Sequence, residues 1–197
     1  MGPGEEKTHC HYNSFLSGLI GKFMIMKKFP GIFLRIGLFA VIMTGPVYVF
    51  LANFAIFEPY IYPLHLLQGN VRKVSPDIIV GPYPDYSLLA SLHERGVIIV
   101  VSLLDPDLIY EDSLIHKEKQ LSSTLGMTDY DFPMDSSEPP GSALNTRAMA
   151  KIRILIEKHP HAKIYIHCYL GKHRVGDVVA MLKHDGESRG YIAGTAR

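Results

Sequence analysis

A chain of 197 residues has room for one domain and a short appendage, since single domains commonly run to about 100–200 residues. With 20 Lys and Arg against 19 Asp and Glu, no whole-chain charge imbalance argues for a nucleic-acid or strongly acidic partner. The two cysteines, Cys10 and Cys168, are too few and too far apart for the disulfide framework of a small secreted domain.

The first feature in chain order is a basic, partly apolar N-terminal segment, residues 1–35, with Lys22, Lys27, Lys28 and Arg35 near its end. Within it Phe15 to Met26 is apolar but interrupted by Lys22, which suits an interfacial segment better than a span. Ile36 to Phe57 then runs for 22 residues without a charge, long enough for a bilayer, which takes roughly 20 apolar residues. A transmembrane helix is expected at 36–57, with a kink at Gly45-Pro46. The run is too long for the core of a signal peptide and lacks the polar face of a soluble helix. Basic residues crowd its N-terminal flank, and none follows until Arg72 and Lys73. By the positive-inside rule the N-terminus, with Cys10, stays cytoplasmic and the rest lies outside, on the periplasmic side in a Gram-negative cell.

Residues 58–76, rich in Pro and Tyr, read as a linker, and the soluble domain is expected at 77–197. There strand-like and helix-like segments alternate. Ile78 to Val80 is a strand, Tyr86 to Arg95 a helix stopped by Gly96, and Val97 to Leu104 a continuous apolar strand buried on both faces. A helix at about Ser113 to Leu125 stops at Gly126, and Tyr130 to Pro133 is extended. The helix from Ser142 to Lys158 is expected to turn Leu144, Ala148, Ile152 and Leu155 to the core. Strand Lys163 to Ile166 leads into His167-Cys168, and helical character resumes after Arg174. The pattern predicts an α/β fold, a small and mostly parallel sheet of four or five strands flanked by helices.

The chemistry is concentrated in His167-Cys168-Tyr169-Leu170-Gly171-Lys172-His173-Arg174, a tight turn between a strand and a helix. Backbone N–H groups at such a turn point at an anion, and the helix N-terminus adds about half a positive charge. Gly171 lets the backbone bend, and Arg174 offers paired donors to phosphoryl oxygens. A thiol at the centre of that field ionises more readily than a free one, which marks Cys168 as a nucleophile. His167 is expected to steady the loop by hydrogen bonding, with Tyr169, Leu170, Gly171, Lys172 and His173 lining it. A zinc site built from His161, His167, Cys168 and His173 fits poorly, because structural zinc presents closely paired ligands. No metal or other cofactor is expected.

HCYLGKHR matches the HCxxGxxR signature of the protein tyrosine and dual-specificity phosphatases. Upstream, LLQGNVRKVSPDIIVGPYPD, a helix and GVIIVVSLL resemble the start of small bacterial members, many of them membrane-anchored, so the resemblance covers about Leu67 to Ala180. It implies metal-independent phosphomonoester hydrolysis through a phosphocysteine, on a phosphoprotein, phospholipid or sugar phosphate. It also implies an aspartate that protonates the leaving group. Asp135, 33 residues before Cys168 and followed by Pro139-Pro140, is the first candidate; Asp131 comes next, then Glu138 and Asp105. Asp135 as a plain turn residue is an equal alternative. Lys172 matches the GK that some lipid phosphatases carry in this loop. Two departures stand out: Val175 occupies the position of the family's Ser or Thr, and only 23 residues follow Arg174, which suggests a shortened C-terminus. Both keep a rival open, a membrane-tethered pseudophosphatase that binds phosphorylated ligands with little turnover.

Overall fold

The structure is a computed structural model and describes residues 30–188. Cys10, the Phe15 to Met26 segment, Lys22, Lys27, Lys28 and the tail 189–197 lie outside the described residues. The chain forms two units, one ending at Val49 and the other running from Phe50.

Helix α1 spans Pro30–Ala52 and is long and apolar enough to cross a membrane. It starts earlier than the uncharged run, with Pro30 at a first-turn position where a missing N–H costs nothing. It also ends five residues sooner than expected. Beyond Asn53 the short helix α2, Phe54–Phe57, belongs to the second unit, and Phe54 and Ala55 are buried there. Glu58–Tyr60 forms a 3₁₀ turn and α3 spans Tyr62–Leu67. The stretch read as a linker is therefore ordered structure, and it contains a strand, β1, Arg72–Lys73.

The remaining elements follow the predicted alternation: β2 Ile78–Gly81, α4 Tyr86–Glu94, β3 Val97–Ser102, α5 Ile109–Thr124, β4 Thr128–Asp131, α6 Ala143–Lys158, β5 Lys163–His167 and α7 His173–Ser188. Five strands form one sheet in the order β1-β2-β5-β3-β4, parallel except for the antiparallel β1–β2 pair. Helices joining parallel neighbours bury both faces of the sheet, so β5 at its centre is buried from Ile164 through His167.

Three local differences have clear causes. The β3–β5 register shifts between Val97 and Ile99, so Ile98 turns out and is half exposed in a strand otherwise buried. Helix α5 begins four residues before Ser113, with Glu111 and Asp112 in its first turn, where the helix dipole favours acidic groups. On α6 it is Asn145 that faces inward; Leu144, expected in the core, is exposed, while Ala148, Ile152 and Leu155 are buried as expected. The Ser142 hydroxyl caps α6 by accepting from Asn145 N–H.

Candidate active site

Parallel strands collect their following loops at one sheet edge, beyond the strand C-termini, and β5 delivers Cys168 to the middle of that edge. The loop from Cys168 to Lys172 opens α7. Its carbonyls are tied outward by neighbours on several sides. Leu103 N–H donates to His167 O at 2.9 Å, Tyr83 N–H to Tyr169 O at 3.1 Å and Gly69 N–H to Leu170 O at 2.7 Å. Because C=O and the next N–H point in opposite directions across a trans peptide, each outward carbonyl turns the following amide inward. Among the described residues no acceptor meets the amides of Tyr169 through Lys172.

Gly171 is required at its place for two reasons. Its φ is +66°, and a Cβ there would lie within 2.7 Å of the Gly81 carbonyl at the end of β2. Only glycine allows both the turn and this close backbone approach.

Arg174, in the first turn of α7, is buried together with Glu111 of α5. Nη1 donates to Glu111 Oε2 at 2.8 Å and Nη2 to Oε1 at 2.5 Å, so the carboxylate takes the terminal edge of the guanidinium. Nη1 also reaches Leu103 O at 2.9 Å and Met134 O at 3.2 Å. Glu111 Oε2 in turn accepts from Asp105 N–H at 2.6 Å. Burial opposes the charge on Arg174, yet the Glu111 carboxylate more than offsets it and raises the pKa of the group. The side edge, Nε with the second Nη2 proton, has no partner among the described residues. That edge is a two-donor fork of the kind that binds two phosphoryl oxygens.

Asp135 follows the fully buried Met134, whose carbonyl Arg174 holds. Its own carboxylate accepts from Ser137 N–H and Ser137 Oγ, both at 2.7 Å. These bonds, with a smaller contribution from the nearby Arg174 charge, hold its pKa below the ordinary aspartate value. The loop is organised by Asn145, whose Oδ1 accepts from Asp135 N–H at 2.9 Å and whose Nδ2 faces the carbonyls of Asp135, Glu138 and Pro139. Asp131 is instead paired with Lys119. Asp105 accepts from Asp107 N–H in its own turn, and Glu138 is exposed.

His167 points under the loop, away from solvent. It is fully buried, stacks on Tyr165 at 5.6 Å between centroids, and sets Nε2 2.8 Å from Glu118 Oε1. Nδ1 has no partner among the described residues. Tyr169 is buried, Leu170 half-buried, and Lys172 and His173 are exposed. Val175 is fully buried in the apolar cluster that also contains Met134 and Cys168. Among the described residues no group of three or more His, Cys, Asp or Glu side chains is gathered as a metal ion would need.

The site thus joins Cys168, the loop amides, Arg174 and the Met134-Asp135 segment, and leaves Asp131 in a separate ion pair. Sequence reasoning missed Glu111, Glu118 and Asn145. The acidic pair Glu111-Asp112 ahead of Ser113 was the available signal for a helix start near Ile109, since acidic residues favour a helix's first turn.

No protein-family model matches the sequence, and no curated protein matches it. Solved structures do match in fold. One, from Shewanella putrefaciens CN-32, bears the description "Putative phosphatase (DUF442)"; it superposes with a TM-score of 0.50 at 15% identity over 59% of this chain and 69% of that one. Another is the core catalytic domain of the PP-IP phosphatase SIW14 from S. cerevisiae in complex with citrate, with a TM-score of 0.46 and 20% identity over 66% of this chain and 80% of that one. At this level of identity the Shewanella likeness speaks to the fold: a five-stranded mixed sheet flanked by helices.

Proposed function

We propose that the chain is a membrane-anchored phosphomonoesterase of the dual-specificity type. Cys168 is the nucleophile, Arg174 and the loop amides bind phosphate, and Asp135 is the leaving-group acid. The observation that most supports this reading is the outward tethering of the carbonyls around Cys168, because it aims N–H donors at the space an incoming phosphoryl group would fill. Sulfur attacks phosphorus in line with the ester oxygen. The P–O bond breaks as Asp135 gives its proton to the departing oxygen, and a phosphocysteine remains. Water, deprotonated by the same aspartate, then attacks phosphorus and releases inorganic phosphate and the thiolate. Ser137 and Arg174 keep Asp135 low in the free protein, whereas a phosphate dianion bound beside it acts in the opposite sense and favours the protonated acid.

Phosphoprotein, phospholipid and sugar phosphate all suit a site of this type. A second reading is a pseudophosphatase, favoured by the fully buried Val175, which offers no hydroxyl to stabilise the departing thiolate. Single-turnover kinetics with p-nitrophenyl phosphate separate the two. A burst followed by steady turnover in the wild type, with neither in Cys168→Ser, supports the enzyme; a burst with no steady turnover supports the rival.

In this reading α1 crosses the membrane once, and the basic residues before it keep the N-terminus cytoplasmic. The catalytic unit then lies outside the cytoplasm. A reporter fused after Arg197 tests this, and activity from a cytoplasmic-only reporter overturns it.

A further inference from the structure

The segment Phe54–Gly69, between the end of α1 and the sheet, is held against the catalytic loop at both of its ends. The Phe54 ring lies 6.0 Å from that of Tyr169, the neighbour of Cys168, and Gly69 N–H donates to Leu170 O at 2.7 Å. Its start is also fastened to α5, where Ala55 N–H donates to Ser113 Oγ at 3.2 Å and Lys117 Nζ to Ala55 O at 2.8 Å. All of these residues belong to the unit that begins at Phe50.

The same segment turns large apolar side chains to solvent: Ile56, Phe57, Tyr60, Leu66 and Leu67, with Tyr60 84% and Leu66 68% exposed. One exposed leucine needs no explanation, but five such residues in a stretch fastened beside a catalytic loop do. An aqueous environment gives them nothing to bury against. A bilayer interface does, and aromatic and aliphatic side chains with a polar backbone are what that layer accepts. Chain continuity points the same way, since Ala52, the last residue of α1, is two residues from Phe54, a reach of at most about 7 Å.

We infer that Phe54–Gly69 is a collar that seats in a lipid surface, and that the substrate is a phosphate monoester carried on a lipid headgroup in that surface. The inference rests on the proposed reading of α1 as a membrane span and of Cys168 as the nucleophile. A phosphate at headgroup depth reaches a loop held at that depth without leaving the bilayer. The exposed Lys172 adds a positive charge at the mouth that favours an anionic surface.

The test uses the full chain reconstituted in phosphatidylcholine vesicles carrying phosphatidic acid as the lipid monoester. Glycerol 3-phosphate and p-nitrophenyl phosphate serve as soluble substrates. The lipid is expected to be hydrolysed at least tenfold more efficiently than glycerol phosphate. The combined Tyr60→Ser, Leu66→Ser and Leu67→Ser variant is expected to lose about tenfold on vesicles while keeping p-nitrophenyl phosphate hydrolysis within twofold. Tyr60→Ser alone, at the most exposed position, should move in the same direction. Unchanged vesicle hydrolysis in these variants, equal loss on both kinds of substrate, or preference for a phosphotyrosine peptide tethered to the same vesicles would each overturn the inference. A wild type inactive on p-nitrophenyl phosphate would instead overturn the phosphatase reading on which it rests.

Discussion

Arg174 and Glu111 meet edge to edge inside the fold, with Nη1–Oε2 at 2.8 Å and Nη2–Oε1 at 2.5 Å, and this pairing leaves the other edge of the guanidinium for an anion. The pair is buried, so removing one partner strands a charge in a poorly solvated place, a change that typically costs about 3–5 kcal/mol. Glu111→Gln keeps one acceptor and should cost about 3 kcal/mol, near the low end of that range. Thermal unfolding followed by circular dichroism should show a fall in Tm of about 6–12 °C. Vanadate affinity should fall with it, because the binding edge is no longer fixed.

Asp135 has a role that depends on the leaving group. A phenolate with a strongly acidic parent departs without help, whereas an alkoxide needs a proton. Asp135→Asn should therefore lower kcat about 100-fold on an alkyl phosphate and only severalfold on p-nitrophenyl phosphate, as read in steady-state assays. Equal losses on both substrates would assign the residue to loop structure, through its contacts with Ser137 and Asn145.

Val175 sits where a hydroxyl would assist breakdown of the phosphocysteine. Val175→Ser should speed the second step severalfold in pre-steady-state kinetics while leaving the burst rate unchanged. The site is fully buried and apolar, so the hydroxyl should also cost roughly 1–3 kcal/mol of stability. Faster hydrolysis in a less stable protein is the expected combination.

Asp129 on β4 supplies a pH dependence of stability. Burial, followed by repulsion from Glu118, pushes its pKa up to about 7. The folded state thus holds a proton that the unfolded chain releases near pH 4. The resulting stabilisation is complete below the unfolded pKa and is lost as the pH rises through about 7. Wild-type Tm should therefore fall between pH 5 and pH 8, and in Asp129→Asn this part of the fall should disappear. The group is partly exposed, which limits the expected difference to a few degrees.

Much of this architecture is written locally in the chain. The apolar β-branched run at Val97, the three-and-four spacing on α6 and the cysteine-to-arginine turn each need only neighbours in sequence to be read. What escaped depends on distant partners. A strand of two residues, Arg72–Lys73, has no pattern of its own and exists because β2 pairs with it. Glu111 carries no local mark of burial, and only the packing of α5 sets it against an arginine 63 residues away. Leu144 yields its expected core place to Asn145, whose amide makes four hydrogen bonds with the loop around Asp135. Residues 58–76 read as a linker because of their prolines and tyrosines, yet they fold into a 3₁₀ turn, a helix and a strand, while Phe54 and Ala55, expected to end the membrane span, pack into the fold.

The most direct test of the chemistry is an acid-quenched reaction of the full chain with p-nitrophenyl phosphate, followed by peptide mass spectrometry. A phosphoryl group on Cys168, appearing within the burst and absent from Cys168→Ser, is the predicted result. Steady phosphate release from an active preparation with no phosphoryl group on Cys168 at any quench time would contradict the covalent mechanism.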